Sequence, residues 1–133
     1  MMSLGQLSEA ALYTRDLAAA QHFYHQVLGL EIISTMEDRG IAFRCGATAL
    51  LIFDPARTRI PDAGVPTHGG TGEGHIAFTI EESEIDSWRM RLREFGVAIE
   101  VEVPWPSGGR SIYFRDPAGN VVELAPPTLW RSK

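Results

Sequence analysis

The chain has 133 residues, 44% of them hydrophobic and 22% charged, with 13 Gly, 8 Pro and a single Cys. That balance excludes disordered, collagen-like and disulfide-stapled chains and predicts one globular domain that buries its core without help from a metal. The 12 Lys and Arg against 17 Asp and Glu leave a formal charge of -5 with no strongly basic window, so neither nucleic acid nor an anionic membrane is expected as a partner, and a small molecule is.

No run approaches the roughly 20 apolar residues that span a bilayer. Met1 to Gly5 also lacks the charged and apolar regions of a secretion signal, so a cytoplasmic location is expected. Residues 6–14 read as a strand. Asp16 then caps a helix over 17–28, in which Ala20, Phe23, Tyr24 and Val27 recur on one face and Gly29 stops the run. Strands follow at 31–37, 40–45 and 48–54. The stretch 55–74, rich in Pro and Gly, reads as a lid, a binding loop or a linker.

The same order then returns: a strand at 75–80, a helix at 83–95, and strands at 98–103, 110–115 and 121–125. Ile85, Trp88, Leu92 and Phe95 form the apolar stripe of the second helix, and Gly96 follows its end. The chain therefore reads as two β-α-β-β-β modules, about 6–54 and 75–126. Superposing them sets Glu9-Ala10-Ala11-Leu12 on His75-Ile76-Ala77-Phe78. It also sets Leu51 to Pro55 on Val122 to Pro126, so that Ile52 falls in the slot of Glu123.

Strand side chains alternate faces, so Glu9 shares a face with Ala11, His75 with Ala77, and Glu123 with Ala125. A ligand-type side chain beside an alanine leaves room for an ion and a bound molecule where a packed core would place a large apolar group. Glu9, His75 and Glu123 are accordingly the candidate metal ligands. Two carboxylates and one neutral imidazole offset a dication and leave open positions, which suits Zn²⁺, Mn²⁺, Ni²⁺ or Mg²⁺ better than the two-His-one-carboxylate pattern of Fe(II) oxygenases. Ser111 and Tyr113 share a face of their strand. With Trp105, Ser107 and Arg110 they make a candidate substrate wall, in which Tyr113 and Glu123 are the candidate catalytic groups. Cys45 reads as a small packing residue.

Several segments together carry a resemblance: Phe23-Tyr24 with Val27-Leu28-Gly29-Leu30, then Gly74-His75-Ile76-Ala77-Phe78, and finally Phe114-Arg115-Asp116-Pro117-Ala118-Gly119-Asn120-Val121-Val122-Glu123-Leu124. From residue 6 to 126 the chain resembles the glyoxalase/bleomycin-resistance/dioxygenase proteins, the vicinal oxygen chelate superfamily. The resemblance implies an α+β fold in which curved sheets from two β-α-β-β-β modules form a barrel-like pocket, all within one domain spanning 1–133. It also implies metal ligands on the strands that carry Glu9, His75 and Glu123, and a homodimer.

The implied function is metal-dependent lyase or isomerase chemistry on a small molecule with vicinal oxygens. Three alternatives stay open: a thiol transferase of the fosfomycin-resistance type, to which the 104–113 stretch is similar; a metal-free drug-binding protein of the bleomycin-resistance type; and an extradiol dioxygenase.

Overall fold

The computed structural model describes residues 1–61 and 64–131, and two positions of the 55–74 stretch, 62 and 63, lie outside them. Contacts divide the chain into two compact units, Met1–Gly72 and Glu73–Lys133. The first unit runs β1 (Glu9–Tyr13), α1 (Leu17–Gln21) continued by a wider π-helical turn (His22–Val27), β2 (Glu31–Met36), β3 (Gly40–Cys45), β4 (Thr48–Phe53) and a short α2 (Pro55–Thr58). The second runs β5 (His75–Thr79), a 3₁₀ turn (Glu82–Glu84), α3 (Ile85–Glu94), β6 (Val101–Pro104), β7 (Arg110–Arg115) and β8 (Val121–Ala125).

Each unit builds one mixed four-stranded sheet, in the orders β1-β4-β3-β2 and β5-β8-β7-β6. The first strand of each lies parallel to the last, while the other pairings are antiparallel. This is the repeated α+β architecture that the chain order predicts. Both sheets are open, and neither closes on itself as a barrel.

One face of the first sheet holds the apolar row Leu12, Ile52 and Ile41, which meets α1 and its π-helical extension through Ala20, Phe23, Tyr24 and Val27. Tyr24 is fully buried, with its ring 5.6 Å from that of Phe43. In the second unit Ile112, Phe114, Val122 and Leu124 turn to the helix side and are buried, as are Ile85 and Leu92 of α3. Each such side chain contributes about 1.5–3 kcal/mol by leaving water.

The helix ends follow local chemistry. Asp16 accepts a hydrogen bond from the Ala19 amide at 3.0 Å, and Gly96, at φ 72°, takes the left-handed turn beyond α3 while the Val97 amide reaches back to the Leu92 carbonyl. The widened turn at 22–27 has no signature in the apolar periodicity, because the same four side chains face the core in either helix form. The expected strand at 98–103 begins later, where Val101 pairs with Tyr113. Phe95, expected in the apolar stripe, is 40% exposed and lies beneath the Arg91 guanidinium.

Candidate metal centre

In the second sheet the alternation that turns Val122 and Leu124 toward the core sends Glu123 to the opposite face. It lies in a row with Ala77 of β5 and Tyr113 of β7. Glu123 is only 5% exposed and Ser111, on the same face of β7, is fully buried. A carboxylate so enclosed has to be satisfied by neighbours. One oxygen, Oε2, accepts from the Ser111 hydroxyl at 2.6 Å, and the Ser111 Oγ in turn accepts from the Trp105 indole N–H at 2.8 Å.

The other carboxylate oxygen, Oε1, faces Nε2 of His75 at 3.3 Å. The second ring nitrogen of His75, Nδ1, lies 3.2 Å from the Val121 carbonyl, which can only accept, so the ring proton of the neutral imidazole sits on Nδ1. That leaves a lone pair on Nε2 directed at a carboxylate oxygen, an arrangement that calls for a cation or a proton between them. Two donors each about 2.0–2.2 Å from one metal ion are separated by roughly 3 Å or a little more at the usual coordination angles. The His75 and Glu123 pair therefore fits a divalent metal.

Tyr113 completes this face. Its ring is stacked on His75 at 6.2 Å between centroids and 24° between planes. Burial pushes its phenol pKa up, the charge of Glu123 and a hydrogen bond to that carboxylate push it the same way, and the Ser111 hydroxyl acts in the opposite sense. The phenol thus keeps its proton at neutral pH and donates it.

The other expected site residues fall elsewhere. Glu9, exposed at the start of β1, pairs with Ala49 as His75 pairs with Val121, so it holds the position of His75 within the first unit. Within either unit, among the described residues, no three His, Cys, Asp or Glu side chains gather as a metal-holding cluster. Ser107 is exposed in the turn between β6 and β7. Arg110 points to the face opposite Ser111, where it pairs with Glu102 at 3.2 Å and Glu82 at 3.6 Å, and so is not brought to this face.

The register also corrects one superposition. Ala11 pairs with Leu51 just as Ala77 pairs with Glu123. The slot equivalent to Glu123 therefore holds Leu51, while Ile52 is fully buried on the helix side. Residue type alone, Leu51 to Pro55 against Val122 to Pro126, does not register the one-residue offset that changes faces.

Two contacts carry no signal in periodicity. The buried Asp116 accepts from the amides of Ala118 and Asn120 and from the Asn120 side-chain amide. Asn120 Oδ1 then accepts from the Gly74 amide at 2.9 Å, tying the β7–β8 turn to the residue that precedes His75. In the first unit the Tyr13 hydroxyl lies 2.6 Å from Nδ1 of His68, a residue of the 55–74 stretch.

Residues 6–124 match the family model of the Glyoxalase/Bleomycin resistance protein/Dioxygenase superfamily. The chain belongs to that superfamily. Among solved structures it is similar to the lactoylglutathione lyase of Agrobacterium tumefaciens, at 38% identity and a TM-score of 0.91 over 98% of this chain and 100% of that one. The glutathione transferase FosA of Serratia marcescens is 31% identical over 122 residues, 91% of this chain and 80% of the relative. The metallothiol transferase FosB of Shouchella clausii is 46% identical over 61 residues, 41% of this chain and 39% of that protein. The superfamily match takes in both β-α-β-β-β units. No helix among the described residues is long and apolar enough to cross a membrane.

Proposed function

We propose that this superfamily member is a metal-dependent enzyme acting on a small molecule with vicinal oxygens, by lyase or isomerase chemistry. The observation that carries the reading is the approach of His75 Nε2 to a buried carboxylate oxygen of Glu123 at 3.3 Å, with Nδ1 set against the Val121 carbonyl. His75 and Glu123 are the ligands in the second unit, and Glu9, at the corresponding position of the first, is the third. A bound Zn²⁺, Mn²⁺, Ni²⁺ or Mg²⁺ would supply Lewis-acid polarisation of a substrate oxygen.

The remaining work falls to the chain. Ser111, backed by Trp105, holds Glu123 in one orientation. Tyr113 keeps a proton on its phenol oxygen, available to a developing oxyanion or enolate. Leu51, in the slot equivalent to Glu123, offers no further ligand, so the open positions are left for substrate oxygens.

Thiol transfer to an epoxide is the second reading, favoured by the similarity to the FosA transferase across most of the chain. A cytoplasmic homodimer, with the chain acting as one functional domain, belongs to the same reading.

The test is metal content. Protein purified without added metal or chelator is expected to carry about one divalent ion per chain, and His75→Ala and Glu123→Ala are expected to lose it. Full stoichiometry and affinity in His75→Ala would overturn the assignment. Assays with a glutathione hemithioacetal and with an epoxide plus thiol then separate the two reactions.

A further inference from the structure

A cavity of about 490 Å³ opens on the first unit, a size typical of small-ligand sites. Its walls are mostly apolar, with Met36, Phe53, Val65 and Pro66 among them, and its polar lining residues are Glu9, Arg39, Thr67 and His68. Two groups able to carry positive charge pack against one ring. The Arg39 guanidinium lies 5.9 Å from the Phe53 centroid, and the His68 ring meets the same ring edge-on at 5.1 Å.

His68 is held in place from behind. Its amide donates to the Thr58 carbonyl and its Nδ1 meets the Tyr13 hydroxyl at 2.6 Å. The Tyr13 ring is itself backed by the chain at Gly70, where an added Cβ would stand 2.8 Å from the ring. With the phenol donating to Nδ1, the imidazole proton sits on Nε2. No hydrogen bond to Nε2 is made among the described residues, and the His68 ring, anchored at Nδ1, lines the cavity.

We propose that this cavity binds a small carboxylate with an apolar body, its carboxylate accepting from His68 Nε2–H and Arg39 and its body lying on Phe53 and Met36. A planar guanidinium fork suits a carboxylate, and in the metal-free chain the negative charge of Glu9 among the lining residues disfavours a dianion such as a phosphate monoester more than a monoanion. The proposal deepens the reading above by naming a substrate class, but it does not need the metal: His68, Arg39 and Phe53 do not include the residues proposed as ligands.

The experiment uses the full chain as purified and again after chelation, with methionine methyls labelled with ¹³C and the histidine rings with ¹⁵N. The probes are benzoate, benzyl alcohol and phenyl phosphate. Benzoate is expected to shift the Met36 methyl and the His68 Nε2 signals saturably while leaving the exposed Met90 methyl in place. Benzyl alcohol and phenyl phosphate are expected to bind at least about tenfold more weakly.

His68→Phe is expected to weaken benzoate at least about tenfold. Arg39→Gln, a change at a half-exposed site, is expected to abolish the preference of benzoate over benzyl alcohol. An unmoved Met36 methyl, equal binding of benzyl alcohol, tighter binding of phenyl phosphate, or wild-type affinity in Arg39→Gln would each overturn the proposal. Binding that persists after chelation supports this site whatever the metal content, so the two readings fail separately.

Discussion

Leu51 and Glu123 hold the same position in their two sheets, each on the parallel-paired closing strand opposite an alanine, Ala11 in one case and Ala77 in the other. One slot is apolar and half-buried, and the other carries a buried carboxylate served by Ser111. The repeat has kept the same strand frame in both halves and placed a carboxylate in only one of them.

The register is directly testable. Ile52 is fully buried against the helix side, so Ile52→Glu strands a carboxylate in the core and is expected to cost more than about 4 kcal/mol. Leu51→Glu sits on the open face and is expected to cost about 1 kcal/mol of lost burial. Urea unfolding of the two variants checks the difference, and equal losses would contradict the assignment of faces.

Ser111→Ala removes the group shared by the Trp105 indole and Glu123 Oε2. Both are left without that partner on a water-poor face, so a loss of about 1–3 kcal/mol in unfolding free energy is expected. Divalent-metal affinity measured by competition with a chelating dye is expected to fall about tenfold or more, because the carboxylate loses its orientation. Unchanged affinity would show that Ser111 does not position the ligand.

Asn120→Ala removes the side-chain amide that donates to Asp116 Oδ2 and accepts from the Gly74 amide, with an expected cost of about 2–3 kcal/mol. Asn120→Asp sets a second carboxylate beside Asp116. Mutual repulsion raises the carboxyl pKa of the folded pair above the unfolded value, so the folded state binds protons more tightly and this variant regains stability as pH falls toward the carboxylate range. Chemical denaturation at pH 7 and pH 5 is expected to show the gap from wild type narrowing on acidification.

Burial pushes the Cys45 thiol above its usual pKa. Fewer thiolates are therefore present at a given pH, and alkylation by iodoacetamide in the folded protein is expected to reach half its limiting rate at a higher pH than in the urea-unfolded chain, where the ordinary value of about 8.5 applies. Mass-spectrometric rate profiles in the two states check this. Coincident profiles would show that Cys45 is as accessible as a free thiol.

What could be read from the chain alone follows a physical line. Alternation along strands and apolar spacing along helices are local, so the order of elements, the Asp16 cap and the placing of Ser111 beside Tyr113 were legible. So was the need of Glu123 for a partner, because a carboxylate between Val122 and Leu124 is enclosed, and Ser111 serves it. The Tyr13–His68 contact was not legible: it links residues 55 positions apart through a stretch without periodicity. Arg110 was misleading for a related reason. Its type suggests a substrate ligand, but one step of alternation from Ser111 turns it to Glu82 and Glu102.

The parallel closure of the second sheet bears on how that face is assembled in time. The β7–β8 hairpin, carrying Ser111, Tyr113 and Glu123, closes through a short turn, whereas His75 meets Val121 across 46 positions of chain. Loop-closure entropy grows with span, so the hairpin is expected to form in the early nucleus and β5 to dock late. Destabilising changes in the Asp116–Asn120 turn are then expected mainly to slow refolding, and Ile76→Val in β5 mainly to speed unfolding, as stopped-flow chevrons would show. The carboxylate waits in a formed hairpin, and the imidazole arrives with the last strand.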